Sequence, residues 1–224
     1  MGQDNTLARL RHEMQALHGV PAERVRFVRA PYRVCPLGAH IDHQLGTVTA
    51  MAIDRGVLLA FAPSESAEVR LTSLAYPGEV RFSLGQVPPK QPGDWGNYAR
   101  GAALALGQTR ELACGLVGIT SGDLAEMGLS SSASVGLACL LALEAVNGLE
   151  LGAAENIRLD QAIENQYLGL NNGILDQTAI LLSRQGCLTV IDCKKFDDGS
   201  KVGPKPVQPP TPLASAGGPS CDRA

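Results

Sequence analysis

The stretch CGLVGITSGDLAEMGLSSSASVGLACLLALEAVN, residues 114–147, decides how the chain folds. Residues 114–120 are a short apolar run that predicts a core strand, and residues 130–147 are a strongly apolar run long enough for a helix. The loop between them, 121–134, carries Gly128 and the consecutive serines Ser130, Ser131 and Ser132. Such a loop lets the backbone N–H groups at a helix start cradle a phosphate. The same residue types also suit a plain helix cap, since Ser is a preferred cap and Gly a common turn residue. It is not a Walker A loop, because the GKS or GKT ending and its lysine are absent. Nor is it a nucleophile elbow, because no serine has glycines two residues away on both sides.

Upstream, Leu7, Leu10, Met14 and Leu17 recur at helical spacing, which predicts an amphipathic helix over 6–18 stopped by Gly19 and Pro21. Val25 and Phe27 with alternating Arg read as a strand, and VLLAFAP at 57–63 as a buried strand. The segment between them, RVCPLGAHIDHQLG at 33–46, combines breakers with ionisable groups and reads as a loop. Strands at 68–72 and 80–84 suggest an antiparallel hairpin. The Pro-rich VPPKQPGDWG then leads to a helix from Asn97 to Leu106. Downstream come a helix over 153–168, another after the turn at Gly173, and a strand at 187–192. The pattern is α+β rather than repeated βαβ. Past Phe196 the composition changes: the last 28 residues hold six Pro and four Gly. Residues 1–195 are therefore expected to form the domain and 196–224 a disordered or extended Pro/Gly-rich tail.

The length of 224 residues allows one large domain or a domain with an appendage, and 45% apolar against 18% charged residues is a globular composition. Nineteen basic and twenty-two acidic residues give a net charge of -3 with no basic track, which argues against nucleic acid. The cysteines at 35, 114, 139, 187, 193 and 221 form no CxxC unit and read as reduced, mostly structural thiols. The N-terminus lacks signal-peptide character and no apolar run approaches a membrane span, so a cytoplasmic address without a membrane partner is expected.

Two groups of residues could carry chemistry. Arg33, His40, Asp42 and His43, stiffened by Pro36 and Gly38, offer donors and acceptors suited to sugar hydroxyls. With Cys35 they also include acceptable zinc ligands, although no spaced His or Cys pair completes a zinc pattern, and a solvated polar loop is the third reading. In the second half, Glu164 sits in the predicted helix LDQAIENQYLGL and Asp176 follows NNGIL in an otherwise apolar context, each suited to metal ligation, proton acceptance or capping. Together, phosphate donors, a carboxylate for Mg²⁺, a second carboxylate for the acceptor hydroxyl and a cation match the needs of phosphoryl transfer from ATP.

With RVCPLGAHIDHQLG, GLSSSAS and ENQYLGLNNGILDQ in that order, the chain resembles the GHMP small-molecule kinases, and among them the galactokinase-like sugar 1-kinases, over residues 25–193. The resemblance implies an N-terminal α+β domain of the ribosomal protein S5 domain 2-like fold, a mixed and largely antiparallel sheet packed with helices. It also implies ATP and Mg²⁺ as cofactors and a small sugar or uronic acid as acceptor. By position, Asp176 matches the catalytic carboxylate that accepts or orients the anomeric proton, and Arg33 the neighbouring cation. Ser132 and Glu164 match the Mg²⁺-associated serine and acid, and Gly128, Leu129, Ser130 and Ser131 the phosphate-facing loop. Trp95, in WGNYARG, matches a nucleotide-side segment, where it packs on adenine or anchors the core. His40, Asp42 and Gly173 match sugar-contacting positions.

One departure is informative. Where galactokinases carry Glu-His-Thr-Asp-Tyr, this chain has Ala39, His40, Ile41, Asp42 and His43. The missing glutamate normally meets the hydroxymethyl end of galactose. Alanine removes a negative charge and makes room, which favours a C6 carboxylate. The form CPLGAHIDHQ looks like plant-type galacturonokinases and implies D-galacturonate plus ATP giving D-galacturonate 1-phosphate. The alternatives are a sugar 1-kinase for galactose, arabinose or glucuronate, and a catalytically silent sugar-binding homologue. The last arises because nothing in 196–224 resembles the family's C-terminal domain or its Gly-rich third motif.

Overall fold

The computed structural model describes residues 3–122, 131–197 and 205–207. Its strands are β1 (Arg26–Leu37), β2 (Thr47–Pro63), β3 (Glu68–Ser73), β4 (Glu79–Ser83), β5 (Leu116–Ser121), β6 (Leu188–Asp192) and β7 (Lys205–Val207). They make one sheet in the order β4-β3-β5-β2-β6-β7, with β1 on β2. Every pairing is antiparallel except β3 with β5. The helices are α1 (Gln3–His18), α2 (Asn97–Gly107), α3 (Ser131–Val146), α4 (Ala153–Ala162), α5 (Leu175–Leu182) and α6 (Cys193–Asp197). No helix among the described residues is long and apolar enough to cross a membrane.

The seventeen-residue β2 organises the sheet. Its end at Leu58–Pro63 pairs with β5, its start at Thr47–Ala50 pairs with β6, and β1 runs along its other side. Successive strand residues point to opposite faces. Val57, Leu59 and Phe61 accordingly join the core beneath α2 and α3, while Ala60 and Ala62 join Leu10 and Met14 of α1, with Val117 and Ile119 of β5, on the other face. The helix α3 is apolar nearly all round because it is enclosed; Leu137, Leu140 and Leu143 are at most 1% exposed. Each such leucine contributes roughly 1.5–3 kcal/mol by leaving water. A third cluster, Val48, Ala50, Ile157, Ile174, Leu175 and Ile191, packs α4 and α5 against the β2–β6 end.

The expected loop at 33–46 is shorter than its composition suggests. β1 continues through Leu37 and β2 begins at Thr47, leaving 38–46 as the turn. Pro31 and Pro36 do not end β1 because it is an edge strand, paired only with β2, where a missing N–H costs no ladder bond. Register shifts between Pro31 and Arg33 and between Val34 and Leu37 absorb the irregularity. The expected strand at 57–63 is likewise only the last part of β2. In the Pro-rich C-terminal stretch, Lys205–Val207 pairs with β6.

Candidate active site

Arg33 lies between the two register shifts of β1, and Asp176 is the second residue of α5. They meet across 143 positions of sequence: Arg33 Nε donates to Asp176 Oδ1 at 2.6 Å, with a second guanidinium nitrogen at 2.5 Å from the same oxygen. The pair is mostly shielded, with side chains 15% and 18% exposed, so it is stronger than a surface ion pair. Ser134 Oγ donates to Pro31 O at 2.9 Å, tying α3 to the strand that carries Arg33.

The turn 38–46 closes against the start of α5. Gly173 is what allows this approach: a Cβ there would lie 2.4 Å from Asp42 Oδ2 and 2.7 Å from His43 N. Asp42 Oδ2 accepts from Leu175 N at 3.2 Å, so Asp42 supplies negative charge to a helix start that Ile174 does not cap. This capping role was not among the sequence expectations. His40 holds a left-handed backbone, φ 70°, unusual for a residue with a side chain. Arg33, Ala39, His40, Asp42, Gly173 and Asp176 line one cavity of about 520 Å³, within the usual range for small-molecule sites. Cys35 and His43 line it too, yet no three His, Cys, Asp or Glu side chains among the described residues converge as a metal cluster. The zinc arrangement is therefore not assembled.

Glu164 occupies a π-helical turn, Ile163–Tyr167, that continues α4, and is 1% exposed. Ser132 Oγ donates to its Oε1 at 3.0 Å, while Asn172 Nδ2 and Gln177 Nε2 each donate to Oε2 at 3.0 Å. Burial pushes its carboxyl above the usual range, and these bonds offset part of that effect while the Asp176 charge adds to it. The serine and acid assigned to Mg²⁺ thus touch one another. Hydroxyl and carboxylate oxygens are the donor chemistry Mg²⁺ accepts, with phosphate and water completing its octahedron, so Ser132 and Glu164 fit that ion. Ser131 opens α3 and is buried, whereas Gly128, Leu129 and Ser130 lie outside the described residues. The sixteen-residue α3 begins at these serines, so its N-terminal amides are suited to anionic phosphate.

Trp95 stands elsewhere, partly buried against the main core and lining a second cavity of about 380 Å³ with Tyr76, Lys90, Tyr98, Leu168 and Leu170. Trp95 thus packs against the core on one side and borders a cavity on the other. Lys90 Nζ donates to Leu168 O, fastening the pocket to the segment that follows the π turn. Sequence reasoning missed Asn172, Tyr76, Tyr98 and Lys90. Asn172 had a signal in its place beside Gly173 in the third motif, and Tyr98 in its place after Trp95 in WGNYARG.

Two sequence families match the chain: GHMP kinases N terminal domain over residues 97–184, and Galactokinase galactose-binding signature over residues 15–63. Every expected site residue except Trp95 falls within those spans. A galacturonokinase of Arabidopsis thaliana is 48% identical over 213 residues, covering 87% of this chain and 50% of the relative. A galactokinase of Chloroflexus aurantiacus is 34% identical over 170 residues, covering 75% and 44%. Among solved structures, Lactococcus lactis galactokinase complexed with galactose superimposes with a TM-score of 0.82 at 27% identity, over 94% of this chain and 57% of that one. The chain spans about half the length of the curated relatives it matches.

Proposed function

Since the chain belongs to the GHMP kinase family, in its galactokinase-like branch, we propose that it is the catalytic-motif part of an ATP-dependent sugar 1-kinase whose acceptor is D-galacturonate and whose product is D-galacturonate 1-phosphate. The observation that carries this reading is the single cavity in which the Arg33–Asp176 pair faces Ala39 and the Asp42–Gly173 wall. Asp176 accepts or orients the proton of the anomeric hydroxyl, and Arg33 fixes that carboxylate and puts a cation near the charge that develops. Asp42 and His40 hold the sugar so that its O1 lies in line with the γ-phosphorus. The α3 start binds the phosphates and Trp95 covers the nucleotide base. Ser132 and Glu164 would hold Mg²⁺, which when bound would supply positive charge against the phosphates.

The uronate preference rests on Ala39. A carboxylate at that position, facing the C6 carboxylate at about 4 Å in a medium of effective dielectric ~20, would repel it by about 4 kcal/mol, an upper bound before water and counter-charges relax. ADP release measured with galacturonate, galactose, arabinose and glucuronate tests this directly. Galacturonate should be used best, and Ala39→Glu should lower its kcat/KM by about 10²-fold while raising that for galactose. Much faster turnover of galactose by the unaltered protein would end the galacturonate reading. Sugar binding with no turnover would instead favour the silent homologue.

A further inference from the structure

Asp160 lies on α4 one turn before Glu164 and is 0% exposed. It fits against α3 only because position 136 is glycine, where a Cβ would fall 2.3 Å from Asp160 Oδ1. Neither carboxyl oxygen of Asp160 meets a hydrogen-bond donor among the described residues, and the same holds for Oε1 of Gln177, another side chain with 0% exposure. The Gln177 amide is within reach of the Asp160 carboxyl, while its Nε2 donates to Glu164 Oε2 at 3.0 Å. The fully buried Asp160 carboxyl and the Gln177 amide oxygen thus both lack a donor, a costly arrangement that a proton on the carboxyl, donated to the amide oxygen, relieves.

An ionised Asp160 would favour the opposite amide orientation, drawing Nε2 to itself and turning Oε1 against Glu164. Among the described residues, the titratable groups that act on it are Glu164 in the π turn, Asp176 on α5, Cys139 on α3 and Tyr98 on α2, none of them a cation. Burial and the Glu164 charge push the Asp160 carboxyl well above the usual range; the Gln177 amide opposes this and Asp176 adds to it.

We propose that Asp160 is a positioning residue, its carboxyl O–H donating to Gln177 Oε1 and so locking the amide with Nε2 toward Glu164. The consequence for Mg²⁺ rests on the role given to Glu164 above; the Asp160–Gln177 bond does not. Infrared difference spectra of the unaltered protein against Asp160→Asn, at neutral pH, should contain the carbonyl band of a protonated carboxylic acid. Asn keeps an N–H donor for Gln177 Oε1, so Asp160→Asn should keep the Mg²⁺ half-saturation of ADP release within about twofold, whereas Asp160→Ala should raise it about tenfold. Absence of the infrared band overturns the proposal. So does a folded Asp160→Asn protein whose Mg²⁺ requirement is raised tenfold. If Asp160→Ala does not fold, the band and the Asn variant still decide. If Glu164→Gln leaves the Mg²⁺ requirement unchanged, the metal assignment fails, and the infrared band alone then supports or overturns the Asp160–Gln177 bond.

Discussion

Gly173→Ala is the sharpest test of how the proposed sugar-facing wall is built. The new Cβ would sit 2.4 Å from Asp42 Oδ2 and 2.6 Å from its Cγ. Ordinary contact begins near 3.4 Å, so the carboxylate must retreat by about 1 Å, the difference of the two distances. His43 N, at 2.7 Å, limits escape on the other side because it is backbone. Overpacking of this kind costs about 1–3 kcal/mol. The 3.2 Å bond from Leu175 N to Asp42 would stretch beyond use, and a bond to a charged acceptor is worth about 1.5–3 kcal/mol, partly regained from water. A combined loss of about 2–4 kcal/mol lowers the melting temperature by roughly 5–15 °C for a chain of this size. Displacement of Asp42 should also weaken sugar affinity by about 10–100-fold. Thermal melts and sugar titrations of the single variants and of Gly173→Ala/Asp42→Ala measure both effects, and the double variant should show a smaller penalty from the alanine. A Gly173→Ala protein that melts within about 1 °C of the parent and binds sugar equally well would refute the close-approach argument.

Replacing Asp176 by Asn removes the proposed proton acceptor while keeping shape, so turnover should fall by about 10²–10⁴-fold with sugar binding retained; unchanged turnover would exclude the assigned role. Asp94 receives the Gly96 N–H at 2.8 Å and pairs with the buried Arg100 at 2.8 Å. Burial alone would raise its carboxyl, but those two partners outweigh burial and leave it below the usual range. A depressed folded-state pKa means that the stabilisation is present above the ordinary aspartate range and is lost as pH falls through the depressed value. Asp94→Asn should therefore melt lower than the parent at neutral pH, with the gap closing in acid; a gap independent of pH contradicts this. Burial pushes the thiol of Cys139 up to about 12 and that of Cys193 up to about 11. Neither should react with a thiol reagent until the protein is unfolded, as peptide mapping of labelled native protein would reveal.

The fold was legible wherever apolar periodicity was strong. The α3 run, the strand before it and the hairpin at β3–β4 all stand at the predicted positions, because each buries a continuous face. Irregular backbone was harder to read. Pro31 and Pro36 signal a break, and only the sheet reveals that β1 has an open edge where proline is harmless. The long β2 was half hidden because its last seven residues form a nearly continuous buried run, whereas only Val48 and Ala50 are buried among its first ten. At the site, the motifs singled out candidate residues but not their partners. That Ser132 touches Glu164, or that Asp42 serves the start of α5 as well as the cavity, depends on long-range packing that spacing along the chain does not encode. Asp160 could have been found, since a position four before Glu164 shares its helix face.

The π turn at Ile163–Tyr167 also sets a phase. It amounts to a single residue inserted into a helix, and each residue turns the helix by about 100°. Glu164 can thus point into the acid cluster while Tyr167, close behind, reaches Pro88 O with its hydroxyl at 2.8 Å and Leu168 and Leu170 line the pocket beside Trp95. Gly101 of α2 admits the widened turn, since a Cβ there would lie 2.7 Å from Ile163 Cγ2. Deleting one residue from this turn would leave a smoother helix and a chain of nearly identical composition. It would also rotate one cavity wall out of step with the other, so the phase between two cavity walls is written in a single surplus residue.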